Sequence, residues 1–314
     1  SFASLTIALN VGGEKRWWQV SAAPRRGDHD EFIGYQGVGS DVTDQYVSAK
    51  QIARLARIDT VTNLPNRLSL QEELADALAE AQANNSRCAM LIIDLDRFKI
   101  INDTMGHGMG DQLLGLVADR LRGMMEQGCT CGRLVGDEFA IIIRRPDSHA
   151  SIEAFARHII ATLSRPYQLG GQQVFVGASA GYAMGPKDGD TVETLSHHAD
   201  LALYKSKDKG GNGVEAYVPM LLAQAEERLW LEQELRTALE KQELQIYYQP
   251  VVNAKSEQLI GFEALLRWHS AKLGAVGPAR FIPIAEESRL INPIGEWVLR
   301  TACREAMSWP AHLK

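Results

Sequence analysis

The rhythm of apolar and polar positions changes several times along the chain. Over residues 1–43, SLTIALNV and RWWQVSAAP alternate with period two around a VGG turn, and EFIGYQGVGSDVT follows them. This pattern predicts short strands. Over 44–58, the spacing of Val47, Ile52, Leu55 and Ile58 predicts a helix, a linker or signalling segment. Two heptads do not separate a plain connector from a coiled coil. From 59 to 217 helical and strand rhythms interleave. LSLQEELADALAEAQAN, GDQLLGLVADRLRGMM, SIEAFARHIIATLS and TVETLSHHADLALYKSKDKG have a helical period, the second with Gly110 and Asp111 at its start. CAMLIIDLDRF is a buried strand ending in acids. CGRLVGDEFAIIIRR is two strands around a tight turn, and QQVFVGASAGYAM is a long strand or a pair. The expected fold is α+β, with helices covering a mainly antiparallel sheet. From 218 to 314 a further unit is predicted. It opens with a long helix placing Leu222, Leu229, Leu235 and Leu239 near one stripe. Two strands, LQIYYQPVV and LIGFEALLRW, and a helix around PARFIPIAEES follow.

Composition narrows the function classes. The chain has 314 residues and a net charge of −6, so it lacks the basic footprint of a general nucleic-acid binder. No nucleic-acid partner is expected, and a polyphosphate substrate would need its charge met locally. No apolar run approaches the length that spans a bilayer. The start lacks a basic segment and reads as the end of a longer β-rich domain, not as a signal peptide. Cys88, Cys129, Cys131 and Cys303 form no zinc spacing. The expected setting is the cytoplasm, with any inner-membrane tether lying in N-terminal regions outside this chain.

The chemistry concentrates between 94 and 212. Asp94 and Asp96 share one strand face by period two. A carboxylate ending a buried strand needs a cation, a donor or a helix terminus. The second acidic pair, Asp137–Glu138, lies on a hairpin that a sheet would bring alongside. Carboxylates gathered in one place repel unless a cation neutralises them, and hard oxygen ligands suit Mg²⁺. Phe98 and Lys99 can offer backbone N–H groups in a turn, and Lys207 a point charge. Lys205 and Lys209 read as a solvated helix face. Asn102 and Asp111 can read a purine edge, although Asp111 also suits a helix-start cap.

Together, DTVTNLPNR (59–67), IDLDRFKIINDTMGHGMGD (93–111), RLVGDEF (133–139), SAGYA (179–183) and ADLALYKSKDKGGN (199–212) resemble the GGDEF family, the diguanylate cyclases. The resemblance implies a palm-like, nucleotidyl-cyclase-type α/β sandwich over 59–217. It implies Mg²⁺ (or Mn²⁺) and condensation of two GTP into cyclic di-GMP and pyrophosphate. Each domain of a homodimer would hold one GTP. Asp94, Asp137 and Glu138 would serve the metal pair with the Leu95 carbonyl, and one of Asp137 or Glu138 would help deprotonate the 3′-hydroxyl. Asn102 and Asp111 would bind guanine. The Phe98–Lys99 backbone, Gly136 and Lys207 would hold the remainder of the nucleotide.

Three positions depart from the family pattern. The first glycine of the signature is Val135. Gly211 replaces a phosphate-binding arginine. The Arg-x-x-Asp inhibition site falls on Glu126 and Cys129, so feedback through it is not expected. Residues 1–43 resemble the closing strands of a PAS domain. Residues 218–314 resemble the start of an EAL domain, a TIM-type barrel that hydrolyses cyclic di-GMP. Glu263 falls at its metal-ligand position and Arg267 at a substrate-contacting one. A full barrel takes about 250 residues, so no hydrolysis is expected from this part alone. Three functions stay open at this point: a working cyclase, a GTP-binding module that regulates an attached EAL domain, and a dimerisation scaffold.

Overall fold

A computed structural model of the chain describes residues 2–27, 30–47, 56–310 and 313. The chain divides after Tyr217 into two compact units. Most of the helix expected over 44–58 lies outside the described residues.

The first unit begins with a three-stranded antiparallel meander: β1 (Phe2–Val11), β2 (Glu14–Arg26) and β3 (Phe32–Asp41). The rest of the unit is built on a five-stranded sheet. Its strands are β4 (Cys88–Asp96), β5 (Cys129–Val135), β6 (Glu138–Arg144), β9 (Gly177–Gly185) and β10 (Val214–Ala216). The order is β10-β9-β4-β6-β5, and every pairing is antiparallel except β10 with β9. The hairpin β7 (Tyr167–Leu169) and β8 (Gln172–Val174) stands apart from this sheet.

The central strand β4 is buried along nearly its whole length, so both of its faces must be covered. Its alternate residues Ala89, Leu91, Ile93 and Leu95 join the core formed with α3 (His107–Met124) and α4 (His149–Leu163). Met90 and Ile92 point to the other face, beneath α1 (Arg67–Ala83) and α5 (Val192–Asp208). The short helix α2 (Phe98–Met105) follows β4 directly. Gly106, at φ +86°, both ends α2 and precedes α3.

Helix α5 lies unusually close to β9. A Cβ added at Gly181 would overlap the Leu203 amide nitrogen and the Ala199 carbonyl. Only glycine permits this approach, and the approach fixes where the last turn of α5, with Lys207, meets the end of β4.

The second unit contains α6 (Pro219–Ala238), β11 (Leu244–Val252), β12 (Leu259–Ser270), β13 (Gly274–Val276), α7 (Pro278–Glu287) and α8 (Ile291–Ala306). The three strands form an antiparallel sheet, and the described residues contain no closed parallel barrel. The leucine stripe of α6 differs from the expected one. Leu229 faces outward, while Leu231, Leu235 and Ala238 are buried around the Trp268–Phe281 contact. Glu234 is buried within that stripe because Lys272 and Lys241 both pair with it.

Replacing Gly181 with Ala should force α5 away from the sheet at a cost of about 3 kcal/mol. Urea unfolding followed by circular dichroism would register the loss as an earlier transition. An unchanged transition would mean that α5 does not sit this close to β9.

Candidate functional site

The strand registers place one row of side chains across the sheet. Val135 pairs with Glu138, Glu138 with Asp94, and Asp94 with Ser179. Residues directly opposite in antiparallel strands share a face. The two expected acids are therefore cross-strand neighbours at the end of the central strand. Asp94 is only 7% exposed. Asp137 follows Gly136 in the two-residue turn between β5 and β6.

That turn depends on Gly136, whose φ is +57°. A positive φ at the first central position suits a tight hairpin between right-twisted strands. Val135 is not among the residues with positive φ; it closes strand β5 and is 61% exposed. The valine therefore fits the backbone without strain, and its effect is confined to the space above it.

A bulge lies just before the turn, where Leu134 has no partner between the Arg133–Phe139 and Val135–Glu138 pairs. Arg133 holds the distorted segment. Its Nε donates to the Gly136 carbonyl at 2.8 Å, and its Nη1 to the Asp59 carboxylate at 3.1 Å. Asp59 also accepts from the Thr62 amide and hydroxyl at 2.8 and 2.7 Å. Burial pushes the Asp59 carboxyl up, but Thr62 and Arg133 outweigh it and hold the group below the usual range. One side chain thus ties the DTVTNLPNR turn to the signature turn. No local sequence signal pairs residues this far apart.

The acids are held against their own repulsion. Burial raises the Asp94 carboxyl, Lys207 lowers it, and Asp137 and Asp96 raise it again; the net shift is upward. Glu138 is raised as well, first by burial, then by Asp200 and Asp94. Lys207 Nζ lies 2.7 Å from Asp94 Oδ2, so this lysine is an ion-pair partner here and not a free charge. Lys205 pairs with Asp208 and Lys209 with Glu215, in keeping with a surface role.

Asp96 has a different task from Asp94. Its Oδ1 accepts from the Ser179 hydroxyl at 2.7 Å and its Oδ2 from the Asn212 amide at 3.0 Å. It anchors the loop after α5, in which Gly210, Gly211 and Asn212 all have positive φ.

Phe98 and Lys99 open α2 and do not lie in a free turn. No side chain caps this helix, so its first amides lack intrahelical partners. Asn102 sits on α2, its side chain packed against Gly110 of α3. Asp111 stands one turn inside α3, which starts at His107. Its alternative use as a helix-start cap is therefore overturned, because Gly106 ends one helix and leads into the next. Far from this site in sequence, Glu263 is exposed on β12 opposite Gln249, and Arg267 lies opposite Gln245, 5.7 Å from the Tyr247 ring.

Among the described residues, no three His, Cys, Asp or Glu side chains converge closely enough to hold a metal ion as they stand. The donor chemistry of Asp94, Asp137, Glu138 and the Leu95 carbonyl nevertheless fits a hard divalent cation. All are oxygens, and two of the carboxyls carry a repulsion that a cation would relieve.

The family profile described as "Diguanylate cyclase, GGDEF domain" matches residues 56–213, half of the chain. The chain belongs to the GGDEF domain family. An EAL domain profile matches residues 232–314, so the order is GGDEF followed by EAL. The chain is 42% identical over 262 residues to the bifunctional diguanylate cyclase/cyclic di-GMP phosphodiesterase MucR of Pseudomonas aeruginosa, covering 83% of this chain and 38% of MucR. It is 35% identical over 271 residues to the cyclic di-GMP phosphodiesterase PdeR of Escherichia coli, covering 86% of this chain and 40% of PdeR. It thus spans well under half of either relative. Among solved structures, the coiled coil and GGDEF domain of DgcB from Caulobacter crescentus, in complex with c-di-GMP, superposes with a TM-score of 0.52 at 30% identity. That match covers 56% of this chain and 93% of that one. The GGDEF domain of YfiN from Pseudomonas aeruginosa gives 0.51 at 36% identity, covering 53% and 99%. These neighbours agree with a mixed α/β GGDEF fold on a mostly antiparallel sheet. Among the described residues, no helix is long and apolar enough to cross a membrane.

The raised Glu138 carboxyl leads to a pH-dependent stability effect. Between the ordinary carboxylate range and its raised value, the folded GGDEF domain binds more protons than the unfolded chain. Its contribution to stability therefore falls as pH rises through that window and is lowest above it. Without divalent cations, Glu138→Gln should raise the melting temperature at pH 7 by about 2 °C. The gain should fade toward pH 4. A scan showing no gain at pH 7 would mean that the acids do not strain the fold.

Proposed function

We propose that residues 59–217 form a divalent-cation-dependent diguanylate cyclase. It would join two GTP into cyclic di-GMP with release of two pyrophosphates. The observation carrying this reading is the cross-strand pair of Asp94 and Glu138, with Asp137 in the adjoining turn and Val135 in unstrained strand conformation. The acid set is complete, and the departure from glycine does not disturb the backbone that presents it.

Asp94, Asp137, Glu138 and the Leu95 carbonyl would hold Mg²⁺ or Mn²⁺. Bound there, the cation supplies charge neutralisation and Lewis acidity at phosphate oxygens. The chain's own groups do the positioning. Arg133 fixes the turn that carries Asp137 and Glu138. The uncapped amides of Phe98 and Lys99 would hold an anion as helix N-termini do. Lys207 would exchange Asp94 for phosphate once a cation takes over the carboxylate. Asn102, whose side chain packs on Gly110, and Asp111, the next residue of α3, would read the guanine edge. One of Asp137 or Glu138 would receive the 3′-hydroxyl proton. Because each domain holds one GTP, the reaction needs two copies facing each other.

The surrounding segments complete a signalling reading. The meander β1–β3 would be the closing part of a PAS sensor, with 44–58 as the linker. Residues 218–314 would be the opening part of an EAL phosphodiesterase, with Glu263 toward its metal and Arg267 toward its substrate. One observation favours a second reading, a GTP-binding module without catalysis that regulates the EAL part: Gly211 brings no cation to the loop after α5.

Incubation of the purified chain with GTP and Mg²⁺ should yield cyclic di-GMP and pyrophosphate. Asp94→Ala should abolish metal-dependent nucleotide binding, measured by calorimetry. GTP binding without product, at concentrations that permit dimers, would favour the regulatory module. Unchanged affinity in Asp94→Ala would make the acids structural.

A further inference from the structure

A cleft of about 770 Å³ opens beside the acid row, between the start of α2 and the loop after α5. Asp96, Arg97, Ile100, Lys207, Gly211 and Asn212 are among the residues that line it. It adjoins the acids through Lys207, which holds Asp94. A polyphosphate entering here meets a strongly negative surround and must be matched by cations.

The cations at hand are few. Lys207 is paired with Asp94. Gly211 brings none, and its surroundings leave little room for a side chain. A Cβ there would lie 3.1 Å from Asp96 Oδ1 and 3.2 Å from Ser179 Oγ, at φ +76°. The loop's backbone is engaged as well, since the Asn212 amide donates to Asp96. Among the described residues, the remaining positive group of the lining is Arg97. It is exposed, and no ion pair or side-chain hydrogen bond holds its guanidinium.

The backbone at Arg97 is also informative. It sits at φ +63°, ψ +22° as the residue before α2. L-residues adopt this left-handed conformation at a cost that glycine escapes. Arg97 gives the helix no side-chain cap in return. A strained, unpartnered arginine at the mouth of a cleft is costly for folding alone, and such strain concentrates at binding sites.

We propose that Arg97 is a further side chain, beside Lys207, that binds the polyphosphate tail of the nucleotide in this chain. Its planar guanidinium offers paired donors to phosphate oxygens. It acts from the start of α2, whereas the lining residues of the loop after α5, Gly210, Gly211 and Asn212, carry no charge. The inference rests on the reading of the site as a guanosine triphosphate site. It adds which charge of this chain meets the phosphates.

The test uses the 314-residue chain, Mg²⁺ and the α,β-methylene analogue of GTP, in which the bond to be broken is replaced. Affinity is read by calorimetry and stability by thermal melting. In Arg97→Gly, affinity should fall about tenfold or more, as expected for a lost charge-assisted contact. Its melting temperature should stay level or rise, because glycine removes the backbone strain. Arg97→Lys should bind between the two. An Arg97→Gly variant that binds as tightly as the native chain would overturn the proposal. So would one that loses affinity and melting temperature together, since that marks a structural role. A native chain that does not bind the analogue would instead overturn the nucleotide-site reading itself.

Discussion

The structure of the GGDEF domain depends on a repulsion held in place. Asp94 and Glu138 face each other across the central pair of strands, with Asp137 beside them. Burial shifts both carboxyls upward, and the neighbouring carboxylates add to the shift. The rest of the sheet supplies the means of holding them there. The apolar residues of β4 are sealed on one face by α3 and α4 and on the other by α1 and α5. A one-residue slip of β4 against β6 would swap its two buried faces and turn Asp94 into the core under α3 and α4. The core thus locks the register, and the register locks the acids together. Lys207 relieves part of the repulsion, and it reaches Asp94 only because Gly181 lets α5 lie against β9.

Two further ties set the edges of the site. Arg133 binds the signature turn to the opening turn of the domain through the Gly136 carbonyl and the Asp59 carboxylate. Asp59 directly follows the segment that joins the domain to the residues before it. At the other edge, Asp96 gathers Ser179 and Asn212 and so holds the loop after α5. Asp94 and Asp96 share a strand face, yet one is paired with a lysine in the acid row and the other is spent on architecture.

Much of this was legible in the sequence. A continuous apolar run gave β4, period two put Asp94 and Asp96 on one face of it, and helical spacing gave α1, α3, α4 and α5. The glycine before Asp137 marked the tight turn. What escaped has physical causes. The Arg133–Asp59 tie links residues with no shared local pattern. The start of α3 was misplaced because Gly106 lets two helices abut, with no polar cap to mark the boundary. In α6 the stripe runs through Leu231 and not Leu229, because a buried Glu234 satisfied by two lysines occupies an inner position. A charged residue in a helix reads as an outward one until its partners are known.

Val135 and Gly211 both stand at the perimeter of the site, and the geometry separates their effects. Val135 is exposed at the end of a regular strand, so it changes only the space available to a ligand. Gly211 lies where a side chain would press on the Asp96 carboxylate, so the glycine serves the loop that Asp96 holds. Neither residue supplies an oxygen to the acid row. The departures therefore alter the space and charge around the acid row, not the acids themselves. The surroundings of the row and the acids in it can then vary separately, because Val135 closes β5 and Gly211 lies after α5, whereas Asp94 and Glu138 stand on β4 and β6.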